Sequence, residues 1–237
     1  ARINVALLAQ GSEIRHPANH MARHPFSLFH DAPKGIAKKL QAKAERNKRI
    51  ATEAGLPLYV TTPDLLEDLP TAKWAPLVVD VLAWATDRPV MEREQPLVLH
   101  APSKRWTKGT DRIIPVMTEL HDQGLIEFRL AEGIPWAEMR ELVQSCDLVL
   151  DQFTTGSYGT FAVEAMAAGV PVVASAHPSM DEAAGDAAVR ADPDDPQAIG
   201  AAVEEALRRR AELVPRGLAH AKRFRWDEPG RGRLRAC

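Results

Sequence analysis

Lys108 and Glu164 are the two side chains of this sequence whose surroundings ask for a ligand. Lys108 ends the run SKRWTK (103–108), where Ser103, Lys104 and Arg105 stand just before it and Gly109 follows. Such a loop concentrates positive charge, and the arginine adds a planar fork matched to phosphate oxygens. Lys108 taken alone reads equally as a solvated side chain. Glu164 is the single acidic residue of GSYGTFAVEAMAAGVPVVAS (156–175). Phe161, Val163, Ala165, Met166, Ala167 and Ala168 surround it, which suits an ordinary solvated face poorly, although a salt-bridge partner on a helix surface is the alternative. Gly156 and Gly159 permit close backbone approach, and a helix starting near 159 points unpaired N–H groups and its positive end at the same place. Turns of this kind also serve packing alone. With a ligand present, a diphosphate is the natural tenant. Glu164, about one and a half turns into that helix, is placed to accept hydrogen bonds from a vicinal diol such as ribose.

The elements that must position these residues are strands alternating with helices. LVLH (97–100), IEFRLA (126–131), DLVLD (147–151) and VPVVAS (170–175) are short β-branched runs. Between them, Ile113, Ile114, Met117 and Leu120 share one helical face with Gly124 as the stop, and Trp136, Met139, Leu142, Val143 and Cys146 make a second stripe. A possible edge strand lies near Val189, and Asp195-Pro196 reads as the cap and first position of a further helix. This spacing predicts right-handed βαβ units around a parallel sheet, an α/β fold whose ligands bind beyond the carboxyl ends of the strands. His100, Ser103, Lys104, Arg105 and Lys108 then follow the first strand and Glu132, Gly133 and Ile134 the second. Asp151, Gln152, Thr154, Thr155, Gly156, Ser157, Tyr158 and Gly159 follow the third. His100, at a strand end, reads as a structural histidine slightly ahead of a ligand.

Upstream, 3–10, 56–62 and 75–80 are predicted strands, and 36–54 an amphipathic helix whose basic face is solvated or, as the minority reading, touches an anionic membrane. The organisation expected is a first part over 1–84, a linker over 85–96, a Rossmann-like domain over 97–220 and a tail over 221–237. A formal charge of -2 from 30 basic and 32 acidic residues excludes a global field toward nucleic acid or membrane. Two cysteines, Cys146 and Cys237, cannot make a disulfide scaffold, and a reducing cytoplasm fits that usage. The chain opens on Ala1 inside a strand-like run, which suggests a fragment or processed form.

HAPSKRWTKG (100–109), CDLVLDQ (146–152) and GTFAVEAMAAGVPVVAS (159–175) together resemble the donor-binding half of retaining glycosyltransferases of the group 1, or family 4, kind. The resemblance covers about 85–220 and extends more weakly upstream, where LLAQGSEIR (7–15) is similar to an acceptor-domain strand and its loop. It implies a GT-B fold, with a nucleotide-diphosphate sugar held mainly by the second of two Rossmann-like domains. Lys108 with Arg105 would neutralise the departing diphosphate, Glu164 would hold the ribose hydroxyls, backbone near Ile134 would meet the base, and the amides from Ser157 through Tyr158 and Gly159 to Thr160 would contact phosphate. The activity implied is sugar transfer to an unidentified acceptor, with no metal and no cofactor beyond the donor. A catalytically silent nucleotide-sugar binding protein, or a GT-B epimerase or hydrolase, is the alternative. This sequence departs from the family at Gly156, where a second glutamate is usual, and at Ser103, where an arginine is usual; Lys104 or Arg105 would substitute for the latter. Gln10 stands where an acceptor-side histidine is often found. An intact member would have roughly a hundred more residues before position 1, so part of the acceptor domain is expected to be missing.

Overall fold

Runs rich in valine and leucine become strands here, and the strands form two separate parallel sheets. The computed structural model describes residues 3–25, 27–88, 92–154 and 158–226. The first sheet runs in order β1 (Leu7–Ala9), β2 (Leu58–Val60), β3 (Lys73–Trp74). The second contains β4 (Leu97–His100), β5 (Glu127–Leu130), β6 (Leu148–Leu150), β7 (Val172–Ser175) and β8 (Val189–Ala191), in the spatial order β5-β4-β6-β7-β8. Every pairing is parallel, with His100 opposite Leu130 on one side and Leu150 on the other.

The helices of the first part are α1 (Pro17–Arg23) and α2 (Ile36–Glu53), followed by the short α3 (Val81–Trp84). The second sheet is covered by α4 (Arg105–Lys108), α5 (Thr110–Asp122), α6 (Trp136–Ser145), α7 (Phe161–Ala167), α8 (Pro196–Arg208) and α9 (Arg210–Ala221). Sequence signals start and stop several of them. Asp195 caps α8, its Oδ1 accepting from the Gln197 and Ala198 amides at 2.9 and 3.2 Å, with Pro196 at the first position. The basic residues of α2, from Lys38 to Arg49, are exposed. Among the described residues no helix is long and apolar enough to cross a membrane.

Each face of the second sheet has its own core. Met166, Val149, Leu99 and Val172 anchor one, and Val98, Leu148, Ile113, Met117 and Ile199 the other. Both faces being covered explains why these strands read as continuous apolar runs instead of alternating ones. A smaller core of Ile14, Val60, Leu65 and Leu69 lies at the first sheet.

One expected strand is elsewhere. Residues 75–80 form no strand, and the third strand of the first sheet is two residues long, at 73–74. Pro76 removes a ladder donor, and the chain then turns to the other half. Val79 packs into the second sheet's core and its amide donates to Phe224 O at 2.9 Å. Trp84 joins the same core, and Arg93 pairs with buried Asp147 at 2.6 Å, so the described part of 85–96 lies pinned to the second half. Of the tail over 221–237, Phe224 packs back onto that core, and residues 227–237 lie outside those described.

Candidate active site

In the strand order β5-β4-β6, consecutive strands lie on opposite sides of β4, which sets a topological switch point between β4 and β6 at the carboxyl edge. Open α/β sheets bind ligands at this switch point. The loops leaving β4 and β6 are joined by hydrogen bonds. The Phe153 amide donates to Lys108 O at 3.0 Å, while Gln152 Nε2 and Thr154 Oγ1 donate to Thr107 O at 2.9 and 2.6 Å. Gly109 lets them approach so closely. Its φ is +71°, and a Cβ there would sit 2.9 Å from Phe153 C and from Thr154 N.

This joint presents Lys108. Its Nζ donates to Asp151 Oδ1 at 2.5 Å, the carboxylate being wholly buried and the lysine side chain 13% exposed. The ammonium also lies 6.0 Å from the centre of the Phe161 ring, and a Cβ on Gly159 would come within 4.0 Å of it. The start of α7 therefore reaches the lysine. Thr160 precedes α7, and its hydroxyl donates to Glu164 Oε1 at 2.8 Å. Burial raises the Glu164 carboxyl above its ordinary value; the Thr160 bond and the Lys108 charge oppose that shift, and the Asp151 charge adds to it. Two carboxylates and one ammonium thus share the switch point.

The first half closes over it. Ser12, Arg15 and Leu28 line a cleft together with Lys108, Tyr158 and Gly159. Arg15 is held by Asp64 at 2.6 Å, and the halves are tied by Arg112 to Asp31 at 2.5 Å and by Phe29 against Trp106. Arg15, Asp151, Gln152 and Thr154 had no assigned role in the sequence. The detectable signal for Asp151 was a charge ending an apolar strand, since a buried charge needs a partner.

Other candidate residues lie differently. His100 is 1% exposed and committed to the fold. Its Nδ1 donates to Leu150 O at 2.9 Å, which leaves Nε2 to accept from Thr110 Oγ1 at 2.8 Å, and burial pushes its pKa down to about 4. No ring nitrogen is left for a ligand. Arg105 is spent on a bidentate pair with Glu132, at 2.9 and 2.6 Å, on the exposed rim. Ser103 is exposed, and Ile134 is half-buried against the core, lining a separate depression with Arg129 and Glu138. Tyr158 is buried in the cleft wall. Gly156 and Ser157 lie outside the described residues.

Residues 126–224 match the family described as Glycosyl transferases group 1. This stretch is thus similar to a group 1 glycosyltransferase domain. The matched segment includes β6, Asp151 after it, α7 and Glu164, while Lys108 precedes it. Over 73 residues the chain is 44% identical to O-antigen chain mannosyltransferase B of Escherichia coli, which is 30% of this chain and 19% of that protein. Among solved structures, sucrose-phosphate synthase of Thermosynechococcus elongatus superposes with a TM-score of 0.64 at 17% identity, covering 88% of this chain and 64% of that one. Anabaena HepE in complex with UDP-glucose superposes with a TM-score of 0.59 at 18% identity, covering 77% and 64%. The fold is of the GT-B type, and the chain spans less than two thirds of the length of each of these relatives.

Proposed function

We propose that the protein moves a sugar from a nucleoside-diphosphate sugar to an acceptor hydroxyl, with retention at the anomeric carbon and without a metal ion. The observation that carries this reading is the convergence of Lys108 and Glu164 at the switch point, beside a segment similar to group 1 glycosyltransferases and under a cleft wall supplied by the other half. Lys108 supplies the positive charge that a divalent ion supplies at other diphosphate sites, and it acts where negative charge grows as the bond from sugar to diphosphate breaks. Its ammonium has three N–H groups, one of them on Asp151, so among the described residues the remainder are available to phosphate oxygens. Glu164, ionised, accepts from the two ribose hydroxyls and so fixes the nucleoside. HepE was solved with UDP-glucose and with UDP, which supports a donor of this class here.

The test is a melting series with UDP, GDP and ADP, followed by product analysis with the matching nucleotide sugars. At least one nucleotide raises the melting temperature, by mass action on the folded state, and Lys108→Met or Glu164→Gln removes the rise. A sugar conjugate as product supports transfer. Binding without turnover favours a silent nucleotide-sugar binding protein, and free nucleotide or an epimerised sugar favours a hydrolase or epimerase. No shift with any of the three nucleotides removes the diphosphate site altogether.

A further inference from the structure

Asp151 is an odd neighbour for a diphosphate. It follows β6 directly, is wholly buried, and sets a full negative charge against the very ammonium that the ligand would need. Its second oxygen, Oδ2, is buried and has no hydrogen-bond partner among the described residues. Among the described residues the carboxylate's hydrogen-bond partner is therefore Lys108 alone. Burying a carboxylate with a single counter-ion carries a desolvation cost that the pair's attraction only partly returns. A site built simply to hold an anion as tightly as it can would place an apolar residue at this position. With Glu164 also near, the cluster carries two negative charges against one positive, so the nucleoside diphosphate meets a lysine whose charge is already answered.

We propose that Asp151 tempers Lys108: the buried pair keeps the resting affinity for nucleoside diphosphate low, so the leaving product is released instead of trapping the enzyme. The reasoning is differential binding. An interaction as strong with the bound diphosphate as with the breaking bond lowers the ground state equally and adds nothing to turnover once donor is saturating. A lysine shared with Asp151 gives little to the resting ligand and more as charge builds on the leaving oxygens, because the ammonium then shifts its hydrogen bonding from carboxylate to phosphate. Asp151 acts through Lys108 and touches no substrate, so it is a positioning and affinity-setting residue. The inference rests on the proposed diphosphate site.

The experiment is calorimetric titration of UDP, GDP, ADP and inorganic pyrophosphate into the wild type, Asp151→Asn and Asp151→Leu, at low and physiological salt, with steady-state kinetics beside it. Both substitutions remove a unit charge beside the ligand while leaving Lys108 in place. The binding nucleotide is expected to tighten about tenfold, more at low salt, with turnover falling as product release slows. A role confined to folding would change melting temperature and leave nucleotide affinity unmoved, and a role in aiming Lys108 would weaken binding in both variants; either result overturns the proposal. If no probe binds the wild type, the diphosphate reading fails with it. If the wild type binds and the variants bind no tighter, only the tempering role fails. Should Asp151→Asn not fold, Asp151→Leu carries the comparison. A further check is the double variant Lys108→Met/Asp151→Leu, which is expected to melt above Lys108→Met and to bind no nucleotide.

Discussion

Gly109→Ala tests whether the joint between the two loops is what presents Lys108. The residue has φ +71°, and an added methyl would stand 2.9 Å from two backbone atoms of the facing loop, Phe153 C and Thr154 N, and 3.0 Å from Phe153 Cβ. Two costs add. The left-handed backbone costs an alanine about 1–2 kcal/mol. Forcing a methyl into a packed contact costs about 1–3 kcal/mol more, here with backbone atoms that cannot swing aside. The sum is about 2–5 kcal/mol, or roughly 4–20 °C in melting temperature for a chain of this size. Relief requires the loop after β4 to part from the loop after β6. That would stretch the Phe153 amide bond to Lys108 O and draw Lys108 from Asp151. Calorimetric melting with and without the binding nucleotide reads both effects, and the nucleotide-induced rise is expected to vanish even where the variant is fully folded. Gly159→Ala is the control: its φ is not positive and its methyl would come no nearer than 4.0 Å to Lys108 Nζ, so stability should barely change. If Gly109→Ala melts with the wild type and keeps its nucleotide response, the joint is not what presents the lysine.

The remaining predictions concern buried titratable groups. Glu164 has its carboxyl raised in the folded state, so the folded protein holds the extra proton and stability falls as pH rises through the window above the ordinary value of 4.5. Glu164→Gln should therefore melt at or above the wild type at pH 8 while losing the nucleotide response. His100 behaves oppositely: pushed down to about 4 from 6.5, it withholds stability as pH falls through that interval, by about 3 kcal/mol at most, and His100→Gln should flatten that part of the melting profile. Cys146, its thiol pushed up to about 12 by burial and then by the Asp147 charge, should resist iodoacetamide at pH 8 until the protein unfolds, as read by peptide mass spectrometry.

Legibility followed periodicity and short-range chemistry. The βαβ pattern after residue 97 needs no tertiary information, because strands buried on both faces are continuous apolar runs and Asp195-Pro196 states its own helix start. The segment 75–80 was misleading because it has the composition of a strand while its valine belongs to another core: Val79 bonds to Phe224, far along the chain. The cationic loop and Glu164 were visible as residues out of keeping with their neighbours. Their pairings were not, since which carboxylate meets which cation depends on strand order. Arg105 looked like the companion of Lys108 and instead forks onto Glu132, while Asp151, read as a strand end, holds the lysine.

Charge across the cleft then divides into answered and displayed cations. Arg15 is answered by Asp64, Arg112 by Asp31 and Asp194, Arg105 by Glu132 and Lys108 by Asp151. Exposed pairs such as Arg105 with Glu132 contribute little and exchange easily with solvent or ligand. The buried pair exchanges only at the cost of leaving a carboxylate stranded, so a resting anion binds to the pair as it stands and the lysine turns to it only as charge builds. A diphosphate reaching Lys108 therefore competes with a fixed charge. That competition makes nucleotide affinity a property of Asp151 as much as of the lysine, and a Lys108 substitution read alone would confuse lost ligand contact with a destabilised core.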